Sequence, residues 1–127
     1  RASRSSCTAA SPAPSASAWP AASAWSRRPS TPTSAPARVL DASGIQTLVA
    51  AEAGCCGAIR RHLGDHEGAL AHMRRNIDAW WPMVASGAVE AIVMNASGCG
   101  VTVKEYGHSL ARDPSYADKA SRIARRE

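Results

Sequence analysis

From Arg38 onward, apolar residues recur in two alternating periods. Ala37 to Ser43 reads as the end of a helix, with Gly44 placed to stop it. Ile45-Gln46-Thr47-Leu48-Val49-Ala50 is short and β-rich, a strand. A small-residue turn through Glu52-Ala53-Gly54 leads to Cys55-Cys56-Gly57, which opens a helix over Ala58 to Leu63. The clearest element follows. Leu70, Met73, Ile77, Trp80 and Val84 recur at helical spacing, after Asp65 as N-cap and before Gly87. Pro82 is expected to kink or shorten its last turn. Val89 to Met94 is the second strand, and Asn95 to Gly100 turns into a helix from Val101 to Ala111. Asp113-Pro114 predicts a last helix to about Arg126, with Tyr116, Ala120 and Ile123 on its inner face. Strand–helix–strand–helix alternation with near-continuous apolar strands predicts an α/β domain, a partial parallel sheet covered by helices. Two strands are few for such a sheet. A missing strand is expected upstream, or pairing with another chain.

The first segment breaks this pattern. Residues 1–37 hold 11 Ala, 10 Ser and 6 Pro, with four Arg and no acid, Leu, Ile, Val, Met or Gly. Such a stretch buries too little apolar surface to offset backbone ordering, about 1–2 kcal/mol per residue, and is expected to be disordered. The domain division is therefore a tail over 1–36 and an α/β domain over 37–127. The tail has no apolar core of signal-peptide length, and no segment reaches the ~18–20 apolar residues that span a bilayer. A soluble, cytoplasmic chain is expected. Of the net charge of +5, four units belong to the first segment, while 11 basic residues face 10 acids in the remainder. That distribution excludes a basic field over the folded part. Four arginines with only Trp19 and Trp25 beside them offer nucleic acid non-specific attraction at most, so no specific nucleic-acid partner is expected.

The cysteines carry the candidate chemistry. Cys7 lies in the tail, Cys55 and Cys56 follow the first strand, and Cys99 follows the second. In an open parallel α/β sheet the carboxyl ends of the strands are where ligands bind. Each position is at or just before a helix N-terminus, which is expected to favour thiolate over thiol. Three sulfurs on two loops of one crevice suit an iron–sulfur cluster or zinc. Zinc would want two cysteines spaced by two residues. A structural disulfide is disfavoured by the strain of bridging neighbours. One buried cysteine alone would be a small hydrophobe; a vicinal pair between glycines with a third at the equivalent loop is not read that way.

Four blocks together carry a resemblance: Gly54-Cys55-Cys56-Gly57, Asn76-Ile77-Asp78-Ala79-Trp80-Trp81, Ala96-Ser97-Gly98-Cys99-Gly100 and Lys104-Glu105-Tyr106-Gly107-His108. Over about residues 36–126 the chain resembles the C-terminal cysteine-rich (CCG) domain of glycolate oxidase iron–sulfur subunits, related to the CCG domains of heterodisulfide reductases. The resemblance implies a non-catalytic electron-transfer subunit of an oxidoreductase. It would work with flavin-containing partner subunits, which alone hold FAD, in oxidising glycolate to glyoxylate. It implies a 4Fe-4S-type cluster with Cys55, Cys56 and Cys99 as cofactor-binding, metal-ligating residues, and peripheral association with the inner face of the cell membrane. The family pattern is a Cys, a Cys-Cys-Gly some thirty-odd residues later, then Cys-x-x-Cys. Here Ala96 stands at the first position of the closing pair, and the leading Cys would fall at Ala22 or Ser23. The chain looks like a fragment. Codons exist for which Trp19 to Ser23, read in a shifted phase, gives Ala-Gly-Cys-Val. Residues 1 to about 35 are therefore expected to be an out-of-frame translation, which the nucleotide sequence decides.

The remaining polar residues add little. His62, His66, His72 and His108 lack metal spacing and are expected at the surface, although His108, Lys104 and Glu105 could equally line the site. Trp80 and Trp81 are expected in the core or an interface, and Arg74-Arg75 and Arg125-Arg126 at exposed helix ends. No phosphate-binding loop or Ser-His-Asp arrangement is present. The alternative function, from a different class, is a cluster-free remnant acting at most as a protein-interaction domain.

Overall fold

A computed structural model describes residues 8–12 and 35–127. The spine is a 20-residue helix, α3 (His66–Ala85). Its apolar stripe of Ala69, Met73, Ile77, Trp80, Met83 and Val84 is buried, as the periodicity predicts. The Asp65 side chain caps it by accepting from the Gly68 N–H at 2.9 Å. Pro82 lies inside the helix, which runs one turn past it to Ala85. The stripe packs with Val89, Ile92, Val103, Leu110, Ala120 and Ile123 into one core.

Around this spine the chain runs α1 (Ala35–Ala42), β2 (Ile45–Val49), α2 (Ala58–His62), α3, β3 (Ala91–Val93), α4 (Ser97–Lys104), α5 (Tyr106–Ser109) and α6 (Ala117–Ala124), preceded by β1 (Thr8–Pro12). Gly44 ends the first helix with φ +78°, as expected of a C-terminal stop. Val101 to Ala111 was expected as one helix; it starts earlier, at Ser97, and breaks at Glu105 into α4 and α5. The last helix starts later than Asp113-Pro114 suggests. The Asp113 carboxylate instead accepts from the Ser115 N–H and pairs with Arg74 at 2.8 Å, forming a turn before α6. Ala120 and Ile123 face inward as expected, while Tyr116 is half-buried.

The α/β class holds, but the parallel sheet does not. Three strands are ordered β2-β1-β3, and both pairings are antiparallel. β2 and β3 point the same way, yet they never meet because β1 lies between them. The reason is hydrogen-bond accounting: each strand exposes a row of N–H and C=O groups that need partners, and β1 supplies both rows. The missing strand thus comes from Thr8–Pro12, inside the segment expected to be disordered. Pro12, which has no N–H to give, falls at the end of the strand. Helix α1 likewise begins at Ala35, within the expected tail. The other tail expectations, disorder and out-of-frame origin included, concern residues outside those described. Among the described residues no helix is long and apolar enough to cross a membrane.

The register sets up the site. Thr8 is opposite both Val49 and Val93, so the carboxyl ends of β2 and β3 are level at one end of the sheet. On the far side of β3 the Ile92 N–H donates to the Arg126 carbonyl at 2.8 Å, and the Arg126 guanidinium donates to Val89 O at 2.7 Å. The end of the chain thereby covers the second edge of β3.

Two surface carboxylates give this fold an acid limit. The Gly68 N–H and then Arg60 hold Asp65 below its ordinary 3.8, and Arg74 and then Ser115 do the same for Asp113. Folded values below the unfolded ones mean stabilisation that is complete above the unfolded pKa and is lost as pH falls through the folded one. The thermal midpoint should therefore drop as pH is lowered below about 4. Asp65→Asn with Asp113→Asn should flatten that drop, Asn remaining a competent N-cap. Circular-dichroism melts across this range test it; an unchanged acid slope in the double variant refutes the assignment.

Candidate metal centre

Beyond the carboxyl end of β2, the loop from Ala50 to Gly57 carries the vicinal cysteines across the side of α3. Asn76, fully buried on the apolar stripe, holds this loop. Its side-chain oxygen accepts from the Gly54 N–H at 2.8 Å, and its amide nitrogen donates to the Cys55 carbonyl at 3.0 Å and to the Tyr106 hydroxyl at 3.1 Å. The Tyr106 hydroxyl in turn donates to the Cys56 carbonyl at 2.9 Å. The Tyr106 ring is also fully buried and stacks on Trp80, with centroids 6.3 Å apart and planes at 17°. The orientation of the Asn76 amide follows from its partners: a carbonyl can only accept, and an N–H can only donate.

Gly57 then turns the chain into α2 at φ +91°, and a Cβ there would sit 2.8 Å from the Ala69 carbonyl oxygen. A side chain is therefore excluded twice, by the left-handed backbone and by the approach of α3. The outcome for the two sulfurs is unequal. Cys55 is exposed, whereas Cys56 is buried and belongs to the core.

Cys99 arrives from the other level strand end. It is the third residue of α4, half-buried against the core, rather than on a loop before the helix. Its thiol faces that of Cys56. Burial first, then hydrogen bonding with the Cys56 thiol and the charges of Cys56 and Cys55, push Cys99 up to about 11. The thiolate expected at this helix N-terminus is therefore not what the site favours at Cys99: desolvation outweighs the dipole.

The structure thus brings Cys56 and Cys99 together with Cys55 at their side. Among the described residues no group of three or more His, Cys, Asp or Glu side chains is drawn close enough to hold a metal ion. The sulfur donors are right in kind for an iron–sulfur group, but a four-thiolate cluster asks for one more than these three and for closer convergence. As arranged, they do not by themselves fit such a cluster. Cys7 lies outside the described residues. Ala96, at the first position of the expected closing pair, is the residue before α4 and offers no ligand.

With the geometry in place, comparison with known proteins is decisive. The cysteine-rich domain (CCG) family matches residues 22–104. The chain belongs to the CCG family. The match begins at residue 22, inside the expected tail. The chain is 56% identical over 91 residues to the glycolate oxidase iron-sulfur subunit of Escherichia coli (strain K12), covering 72% of this chain and 22% of that protein. It is 31% identical over 84 residues to the probable glycolate oxidase iron-sulfur subunit of Bacillus subtilis (strain 168), covering 66% and 18%. This CCG chain therefore spans about a fifth of the length of the curated relatives it matches. No solved structure matches it.

The other candidates separate cleanly. His62, His66 and His108 are exposed, and His72 accepts from Arg60 at 3.0 Å. Glu105 pairs with Arg61 at 3.5 Å, so it braces α2 rather than facing the sulfurs. Trp80 is core, while half-buried Trp81 is covered by the Lys119 and Arg122 cations of α6. Sequence reasoning missed Asn76 and Tyr106 as site residues. The available signal was a polar Asn76 in register with Met73, Ile77 and Trp80 on an apolar stripe.

Alkylation reads the unequal sulfurs directly, because the thiolate is the reacting form. At pH 8 iodoacetamide should modify Cys55 at least about tenfold faster than Cys99, whose rate should climb until the pH approaches about 11. Mass spectrometry of the cysteine peptides gives the separate rates. Equal rates for the two at pH 8 would contradict the assigned environments.

Proposed function

We propose that this chain is the CCG module of an iron–sulfur electron-transfer subunit of the glycolate oxidase type. In this reading FAD-containing partner subunits oxidise glycolate to glyoxylate, and the iron–sulfur subunit serves to carry the electrons away. Cys55, Cys56 and Cys99 are its sulfur donors, with the cluster, of 4Fe-4S type, completed by a donor outside the described residues. A cytoplasmic location, peripheral at the inner face of the cell membrane, goes with such a subunit. One observation carries the reading: two level strand ends deliver Cys56 and Cys99 to the same point, with Cys55 beside them, in a chain of the CCG family. The relatives' electron-transfer naming supports the rest.

The chain's own residues contribute placement and polarity. Asn76 and Tyr106 orient the Cys55–Cys56 peptide, and the core under Cys56 and Cys99 keeps water from one side of the sulfurs. Three N–H groups at the start of α4 lack carbonyl partners of their own helix and favour negative charge near Cys99 once protons leave the thiols.

A second reading is favoured by the absence of a three-ligand group among the described residues. It takes the chain as a cluster-free remnant that acts at most through protein contact, with Ile59, Leu63 and Val101 exposed near the cysteines.

Anaerobic reconstitution with iron and sulfide separates the two. The first reading expects a brown protein with bound iron and sulfide, weakened at least about tenfold in iron retention by Cys56→Ala or Cys99→Ala, in line with loss of a metal ligand. Ala96→Cys, which restores the family's closing pair, should raise retention. A colourless, iron-free product with all thiols reduced, in both the natural sequence and Ala96→Cys, would defeat the first reading in favour of the second.

A further inference from the structure

We propose that Asn76 and Tyr106 are the positioning residues of the cysteine site: as one hydrogen-bonded unit they hold the Cys55–Cys56 peptide in the orientation that turns Cys56 inward to Cys99 and leaves Cys55 at the surface. The inference deepens the reading of these cysteines as the sulfur donors, and its test needs no iron.

The argument starts from the geometry of neighbours. Successive side chains of a non-helical stretch diverge, so a vicinal pair cannot send both sulfurs the same way. Which cysteine points inward is a choice between two registers of one loop. In this loop Ala53 and Cys56 pack against the core and Gly57 passes beneath Ala69, which admits that choice. The polar contacts make it: the Gly54 N–H, the Cys55 carbonyl and the Cys56 carbonyl are each tied, at 2.8, 3.0 and 2.9 Å, to Asn76 or Tyr106. Three consecutive residues are thus held from elements that do not move with the loop. Asn76 belongs to the middle of α3, and Tyr106 opens α5 with its ring against Trp80.

The cost of the arrangement supports the role. At the Asn76 position an apolar side chain would extend the stripe without burying polar atoms, whereas a buried amide is tolerated only when its hydrogen bonds are made. Both amide hydrogens and the oxygen of Asn76 have partners, and every one of them is the cysteine loop or the residue that also holds it. Among the described residues no buried side-chain nitrogen or oxygen is left unsatisfied. The hydrogen bonds of both side chains reach the backbone that carries the sulfurs. They act through the peptide that carries the sulfurs.

The experiment uses the full chain, reduced and treated with chelator, under iodoacetamide at neutral pH, with rates for each cysteine peptide from mass spectrometry. Tyr106→Phe keeps the ring and removes the hydrogen bond to the Cys56 carbonyl. Asn76→Asp keeps an acceptor for the Gly54 N–H and removes the donors to the Cys55 carbonyl and to Tyr106. Each should raise the Cys56-to-Cys55 rate ratio about tenfold, the factor carried by one well-placed hydrogen bond. Val84→Ala, in the core away from the loop, should lower the melting temperature and leave the ratio unchanged. If Asn76→Asp fails to fold, Tyr106→Phe decides alone. A Tyr106→Phe protein that melts lower with an unaltered ratio, or a Val84→Ala protein that shifts the ratio equally, overturns the proposal. A colourless reconstitution would defeat the cluster reading and leave this ratio standing.

Discussion

The buried Asn76 carboxamide is the constraint around which the rest of the site is arranged. It joins the middle of α3 to the cysteine loop and to Tyr106, which lie 21 to 30 residues from it in sequence. Magnitudes say why this contact outranks the ion pairs. An exposed salt bridge is worth about 0–1 kcal/mol, while depriving a buried amide or hydroxyl of its partner costs about 1–3 kcal/mol. Arg60–Asp65, Arg61–Glu105 and Arg75–Glu52 are of the first kind, with every side chain more than a third exposed. Asn76 and Tyr106 are of the second, and their hydrogen bonds converge on the stretch from Gly54 to Cys56.

From that peptide the constraint passes to the sulfurs. The inward turn of Cys56 depends on the tied carbonyls and on Gly57, whose left-handed backbone fits beneath Ala69 only without a side chain. Cys99 then meets Cys56 because the sheet register brings both strand ends to one level. In the metal-free state Cys99 stays protonated, since burial and the neighbouring Cys56 thiol disfavour a charge on it. A bound metal would supply the charge that makes the Cys99 thiolate favourable, and its binding would release that proton. The same burial that keeps the free thiol protonated also excludes water from one side of whatever the sulfurs bind.

Much of this was legible in the sequence, and the exceptions have a common cause. The long helix, its Asp65 cap and its buried stripe follow from helical period, and the positions of Cys55, Cys56 and Cys99 after strands follow from β-rich runs ended by small residues. What sequence period cannot carry is the partner of a strand. Thr8–Pro12 has only Thr8 of the branched and aromatic residues that mark a strand, and the observation that gives it away is backbone pairing on both edges. The parallel sheet was the natural inference from two co-directional strands, and a third strand between them changes the sign of every pairing. At Asp113-Pro114 the sequence could not show that Arg74, 39 residues away, shares the carboxylate that also accepts from the Ser115 N–H in the turn before α6.

The site itself shows where family membership and local chemistry diverge. Likeness to iron–sulfur subunits rests on the whole block around Cys55, Cys56 and Cys99, yet a cluster responds only to the number and convergence of sulfurs. Ala96 lies at the extended residue before α4, three residues from Cys99, so a thiol there would stand beside the helix start that already carries Cys99. The backbone for a closing pair is therefore present while one donor is not. The framework that aims the sulfurs, Asn76, Tyr106, Gly57 and the level strand ends, is present around three cysteines and Ala96. Such a framework stabilises the loop whether or not iron is bound, because its hydrogen bonds are to the backbone and not to the metal. Likeness in the fold thus does not depend on the number of sulfurs, whereas a cluster would.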